Sequence, residues 1–167
     1  MKGFEICFFR HGIALDREDP GVTSDAERPL TEEGIRKTRT AAEGLKRMDA
    51  GFEKILTSPW LRASQTASIL SEVLKLPAPD EMAELEGDRT PEDLVGALPS
   101  RLARRTLLVG HEPLLSATVI HILGGDWALD LKKSGACALY VDSLPLRRPA
   151  TLMWHLTSRQ LRWIAKG

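Results

Sequence analysis

The 167-residue sequence has no charge excess of either sign: 23 lysines and arginines stand against 23 aspartates and glutamates. A chain without a global field has nothing to draw it onto nucleic acid or an anionic membrane, so any attraction to an anion must be local. Cysteine is scarce as well. Cys7 and Cys137 form no CxxC pair and no zinc-type Cys/His spacing, which argues against a metal cage and fits two thiols packed in strands of a reduced, intracellular protein. Long apolar runs are missing. Only about six apolar-leaning residues follow Lys2, too few for a signal segment or a membrane span. The longer run that starts at Thr106 is interrupted by His111, Glu112, Pro113 and His121. A soluble, cytoplasmic chain is therefore expected. No internal repeat is visible, and the one Pro-rich patch, Leu76 to Glu81, reads as a loop. At this length a single domain over residues 1–167 is the expectation.

What is present is an alternation of strand and helix patterns. Phe4 to Phe9 is rich in β-formers with little polar alternation, as a strand buried on both faces should be. After an acidic loop, Thr31 is placed to cap a helix, with Glu32 and Glu33 in its first turn and Ile35, Thr38, Ala42, Leu45 and Met48 along one face. Lys54 to Thr57 is a short second strand. Trp60, Ala63, Ala67, Leu70 and Leu74 mark a second helix beginning at that strand's end. Thr90, Pro91 and Asp93 open a third helix. Thr106 to Gly110 is another buried strand, Pro113 opens a helix to about Leu123, and Gly135–Val141 and Thr151–Leu156 read as two further strands turning near Pro149. This order predicts an α/β layered domain with a mostly parallel sheet and an antiparallel element late in the chain.

In such a sheet ligands bind beyond the carboxyl ends of the strands. Arg10 and His11 follow the first strand, Ser58 and Arg62 the second, and His111 and Glu112 the Thr106 strand. Two arginines and two histidines brought to one crevice suit a tetrahedral dianion. Guanidinium forks grip paired oxygens and stay charged, and helix N-termini at Trp60 and Pro113 would add backbone N–H groups. A ring nitrogen can attack phosphorus, and a second imidazole can stabilise the developing charge. His121 and His155 fit no metal pattern and are assigned to packing or surface. The basic pairs at Arg104, Lys132 and Arg147 read as solvated faces, or as a docking rim for an acidic partner.

Three motifs in order, "RHG", "LTSPWLRASQTA" and "VGHEP", each after an expected strand, resemble the histidine phosphatase superfamily, the phosphoglycerate mutase-like family. The compact length, "ERPLTEEG" and the short "ELEGDRTPEDL" region look most like its small SixA-type phosphohistidine phosphatases. The resemblance implies a three-layer α/β/α sandwich and hydrolysis through a covalent phosphohistidine on His11. Arg10, Arg62 and His111 match the phosphate pocket, Arg28 approaches it from the loop, and Ser58 and Gly12 support it, Gly12 by letting backbone and phosphate come close. A glutamate after helix 2 serves as proton donor in many members. Here Glu84 is the first candidate and Glu86 the second, with no carboxylate at all as the third option, because imidazole leaves more easily than an alkoxide. Glu112 stands where an asparagine is common and is expected to point away or to orient a cation. The implied partner is a signalling or phosphotransfer protein carrying phosphohistidine. The alternatives are a small phosphorylated metabolite or a non-catalytic phosphate-binding module. No metal or nucleotide cofactor is called for.

Overall fold

The computed structural model describes residues 3–167. Its elements run β1 (Phe4–Arg10), α1 (Glu32–Arg47), β2 (Lys54–Thr57), α2 (Leu61–Leu74), β3 (Asp80–Glu81), α3 (Pro91–Ala97), β4 (Arg105–Gly110), α4 (Leu114–Leu123), β5 (Ala136–Val141), β6 (Thr151–Leu156) and α5 (Ser158–Lys166). Apolar side chains on both sides of β1 require a central position. Ile6 and Phe8 enter one core and Cys7 and Phe9 the other, as the two-residue period of a strand dictates. The sheet order is β3-β2-β4-β1-β5-β6. Strands β1 to β4 pair in parallel, while β5 runs against both β1 and β6, the late antiparallel strand that the sequence predicts.

Helices α1, α2 and α5 cover one face, where Ala41, Ala42, Leu45, Ala63, Ala67, Leu70 and Leu161 pack on Cys7, Phe9, Ile55, Leu107 and Val109. On the other face α3 and α4 bring Leu94, Leu115, Val119 and Ile122 onto Ile6, Phe8, Leu56 and Leu108. The result is a three-layer α/β/α sandwich. The expected caps form: Thr31 Oγ1 accepts the Gly34 N–H at 2.9 Å and Thr90 Oγ1 accepts the Asp93 N–H at 3.2 Å. Both cysteines are free and buried. Burial pushes both thiols up, with Cys137 adding to the shift of Cys7 and Cys137 itself raised to about 12, so they pack as small hydrophobes.

Helix α5 departs from the sequence reading, which ends on β6. It starts with a reciprocal cap between Thr157 and Gln160 and lies across α1. The two helices approach so closely at Gly44 that a Cβ there would collide with the Leu161 carbonyl oxygen. Gly44→Ala therefore trades a helix-propensity gain of about 1 kcal/mol for a backbone clash, and a net loss of about 2 kcal/mol is expected in urea denaturation.

Strand register decides where the polar groups emerge. Arg10 pairs opposite Gly110 and Thr57 opposite Val109, so three neighbouring strands end level with one another. The His11 N–H still donates to the Gly110 carbonyl at 3.1 Å and the Ser58 N–H to the Val109 carbonyl at 3.0 Å. His11, Ser58 and His111 thus leave the sheet in one row.

Candidate active site

Beyond that row lies a crevice of about 480 Å³, lined among others by Arg10, His11, Arg28, Arg62 and His111. The His11 and His111 rings stand 5.1 Å apart, and the Trp60 ring lies 4.7 Å from His111 and 5.0 Å from the Arg62 guanidinium. His11 Nδ1 sits 2.7 Å from the Gly12 carbonyl, which can only accept, so Nδ1 carries the ring proton. Nε2 must then present a lone pair, and it accepts from Arg62 Nε at 3.2 Å. His111 Nε2 pairs with Ser58 Oγ at 2.9 Å, and Ser58 Oγ also accepts the Trp60 N–H at 3.2 Å. Among the described residues, Arg10 Nε and His111 Nδ1 are buried without a hydrogen-bond partner. Buried polar atoms are rarely left unpaired, and here both belong to side chains lining one crevice.

Burial holds both imidazoles neutral. It pulls the His11 pKa down to about 2, with His111 and the two arginines adding to the effect against the Gly12 hydrogen bond, and it pulls His111 down to about 3, with Arg62 adding. Below the ordinary histidine range the unfolded chain takes up protons that the folded chain refuses. These two groups therefore lower stability as pH falls from about 6.5 toward 3, by about 1 kcal/mol per pH unit each. Melting curves from pH 7 to 4 should show this slope, and His11→Ala should remove roughly half of it.

A family model for the histidine phosphatase superfamily (branch 1) matches residues 6–87. The phosphohistidine phosphatase SixA of Escherichia coli (strain K12) is 33% identical over 130 residues, which is 73% of this chain and 76% of that protein. The chain belongs to the histidine phosphatase superfamily. An uncharacterized protein of Picosynechococcus sp. is 40% identical over 144 residues, 81% of this chain and 84% of its own. The solved structure of the protein histidine phosphatase SixA complexed with tungstate matches with a TM-score of 0.83 at 26% identity, covering 95% of this chain and 99% of that one. The chain is accordingly a histidine phosphatase, a hydrolase.

In this histidine phosphatase the fold gathers Arg10, His11, Arg28, Arg62 and His111 at the crevice, and Ser58 stands behind His111. Gly12 is also closely enclosed by its neighbours: a Cβ there would strike Thr38 Oγ1 on α1, and its N–H donates to Thr66 Oγ1 at 3.0 Å. Glu84 and Glu86 are not among the lining residues; Glu84 lies on a 3-10 turn and Glu86 pairs with Arg89 at 3.0 Å, while Gly87 and Asp88 reach the rim. Glu112 lines the crevice and accepts the Ser116 N–H at 3.2 Å, capping α4, and burial raises its pKa against that hydrogen bond.

Asp25 is the group that the sequence hides. Its loop folds back over the crevice, closed at its base by the Ala14–Leu30 bridge, and its carboxylate takes Arg17 at 3.0 Å, Arg28 at 2.9 Å and Arg62 at 3.1 Å. Its backbone carbonyl also accepts from Arg62. Burial alone would raise its pKa, but the hydrogen bonds from Arg28 and Arg17 and the charge of Arg62 drive it well below the usual carboxylate range. Among the described residues no cluster of His, Cys, Asp and Glu is disposed to hold a metal, and no helix is long and apolar enough to cross a membrane.

Proposed function

We propose that this chain is a phosphohistidine phosphatase that acts on a signalling or phosphotransfer protein through a covalent intermediate on His11. The observation that carries the reading is the tautomer: with the proton fixed on Nδ1 by Gly12, Nε2 offers a lone pair inside a ring of cations. In the first step Arg62 Nε turns from His11 Nε2 to a phosphoryl oxygen, the freed lone pair attacks phosphorus and the new N–P bond forms, while the bond to the leaving imidazole, protonated on its other nitrogen, breaks so that the ring departs neutral. Water then cleaves the N–P bond, releasing inorganic phosphate and returning His11 to its neutral form. Arg10, Arg28 and Arg62 hold the phosphoryl oxygens through both steps. With Ser58 donating to His111 Nε2, Nδ1–H is left to donate to one of those oxygens. A departing imidazole needs little acid help, which agrees with Glu84 standing outside the lining. No metal or nucleotide enters this scheme.

Hydrolysis of a small phosphate ester is the other reading, and it asks for a proton donor to an alkoxide. Glu112, raised by burial, and the rim residue Asp88 are the carboxyls in the lining besides Asp25. Purified protein should be assayed against histidine-phosphorylated protein and against a panel of small esters. Preferential turnover of the phosphohistidine substrate is expected, and activity confined to the esters would sink the first reading.

A further inference from the structure

Beside the crevice runs a second groove of about 450 Å³, lined by Arg10, Lys37, Lys132, Lys133, Arg159 and Arg162 together with Ile13, Thr157 and Ser158. Six cations and no carboxylate form this lining, in a chain whose total charge is zero. Arg10 and Lys133 line the crevice too, so the two spaces share a wall. The neighbouring carboxylates are few: Glu33 pairs with Lys37 and Asp130 with Lys132. Among the described residues Lys133, Arg159 and Arg162 enter no ion pair, and Arg162 Nε is buried without a hydrogen-bond partner. Arg159 sits in the first turn of α5, the end where the helix dipole disfavours a cation, and its guanidinium stacks on the Trp163 ring. Six like charges collected at such cost, with only Glu33 and Asp130 set against them by this chain, are suited to an anionic partner.

We infer that this groove receives an acidic polypeptide segment flanking the phosphorylated side chain that enters the crevice. The inference rests on the phosphatase reading above and adds the substrate's surroundings to it. A single phosphoryl group is already served by the arginines of the crevice, so the groove takes another part of the same substrate. Its exposed members are Lys132, Lys133 and Arg159, and the lysines are mobile point charges rather than fixed forks. That character suits a run of aspartates and glutamates whose positions vary, and it steers encounter more than it grips one small anion.

The test uses two phosphohistidine peptides of equal length, one with Asp/Glu flanks and one with Ser/Gly flanks, beside p-nitrophenyl phosphate. At low salt the wild type should favour the acidic peptide by about tenfold in kcat/KM, and the preference should fade near 0.5 M NaCl, roughly, as screening shortens the field. In a Lys132→Glu/Arg159→Glu protein the preference should vanish or reverse while hydrolysis of the small ester stays within about twofold. Equal rates on both peptides in the wild type, or a preference that survives in the double variant, would overturn the inference. Binding is read separately, by fluorescence anisotropy of the unphosphorylated peptides on His11→Ala protein. Tighter binding of the acidic peptide there supports the groove even if no phosphohistidine substrate turns over, and equal binding counts against it.

Discussion

In a His11→Ala protein, phosphatase turnover is expected to fall by at least about 10⁴-fold, equivalent to about 5.5 kcal/mol of transition-state stabilisation. The size follows from the role proposed for the residue. Without Nε2 the phosphoryl group would have no acceptor on the protein under that proposal, and water would have to attack directly. The arginines would still bind phosphate, so substrate affinity should change far less than kcat. Acid-labile label should accumulate on the wild type during turnover and be absent from the variant. Folding should survive, because the substitution removes a neutral ring and adds no unpaired charge. Its gentler loss of stability in acid provides an independent check that the ring was the group refusing the proton. A variant that retained more than about a hundredth of the activity would remove His11 from the nucleophile's place.

Much of this site is legible in the sequence because three apolar blocks end in chemistry-bearing residues. "FEICFF" ends on Arg10 and His11, "KILT" on Ser58, and "TLLVG" on His111. Periodicity gives the strands, and the rule that ligands gather at carboxyl ends does the rest. The level register of β1, β4 and β2 explains why the rule works here. Helix α5 escapes the periodicity reading because in "SRQLRWIAK" only Leu161 is buried. Its local mark was Thr157 followed three residues later by Gln160, a capping pattern that needs no apolar face. Asp25 escapes for another reason. Its segment has the composition of a surface loop, and nothing local says that the loop returns to the crevice; the arginine three residues on, Arg28, was the available hint. The position of Glu84 was equally hidden, since a 3-10 turn sets which side chains after α2 face the crevice.

The second large effect concerns Arg62. Its side chain is 5% exposed, and it spends Nε on His11 and the two terminal nitrogens on the Asp25 carboxylate and carbonyl. One planar group thus holds the His11 ring and ties the overlying loop to the crevice. Arg62→Ala removes all of these contacts together with a positive charge facing the phosphoryl group, and kcat/KM is expected to fall by about 10³-fold. The fold should tolerate the change, because Asp25 keeps Arg17 and Arg28 as partners. Arg62→Lys separates charge from shape. An ammonium restores the positive charge but cannot serve His11 and both Asp25 acceptors from one plane. If the fork matters, the lysine variant should stay about 10²-fold below wild type with most of the loss in kcat, because the charge still attracts substrate while His11 is no longer held. If charge alone matters, lysine should restore activity to within about tenfold. The geometry at Nε, 3.2 Å from the ring nitrogen proposed to attack, favours the first outcome.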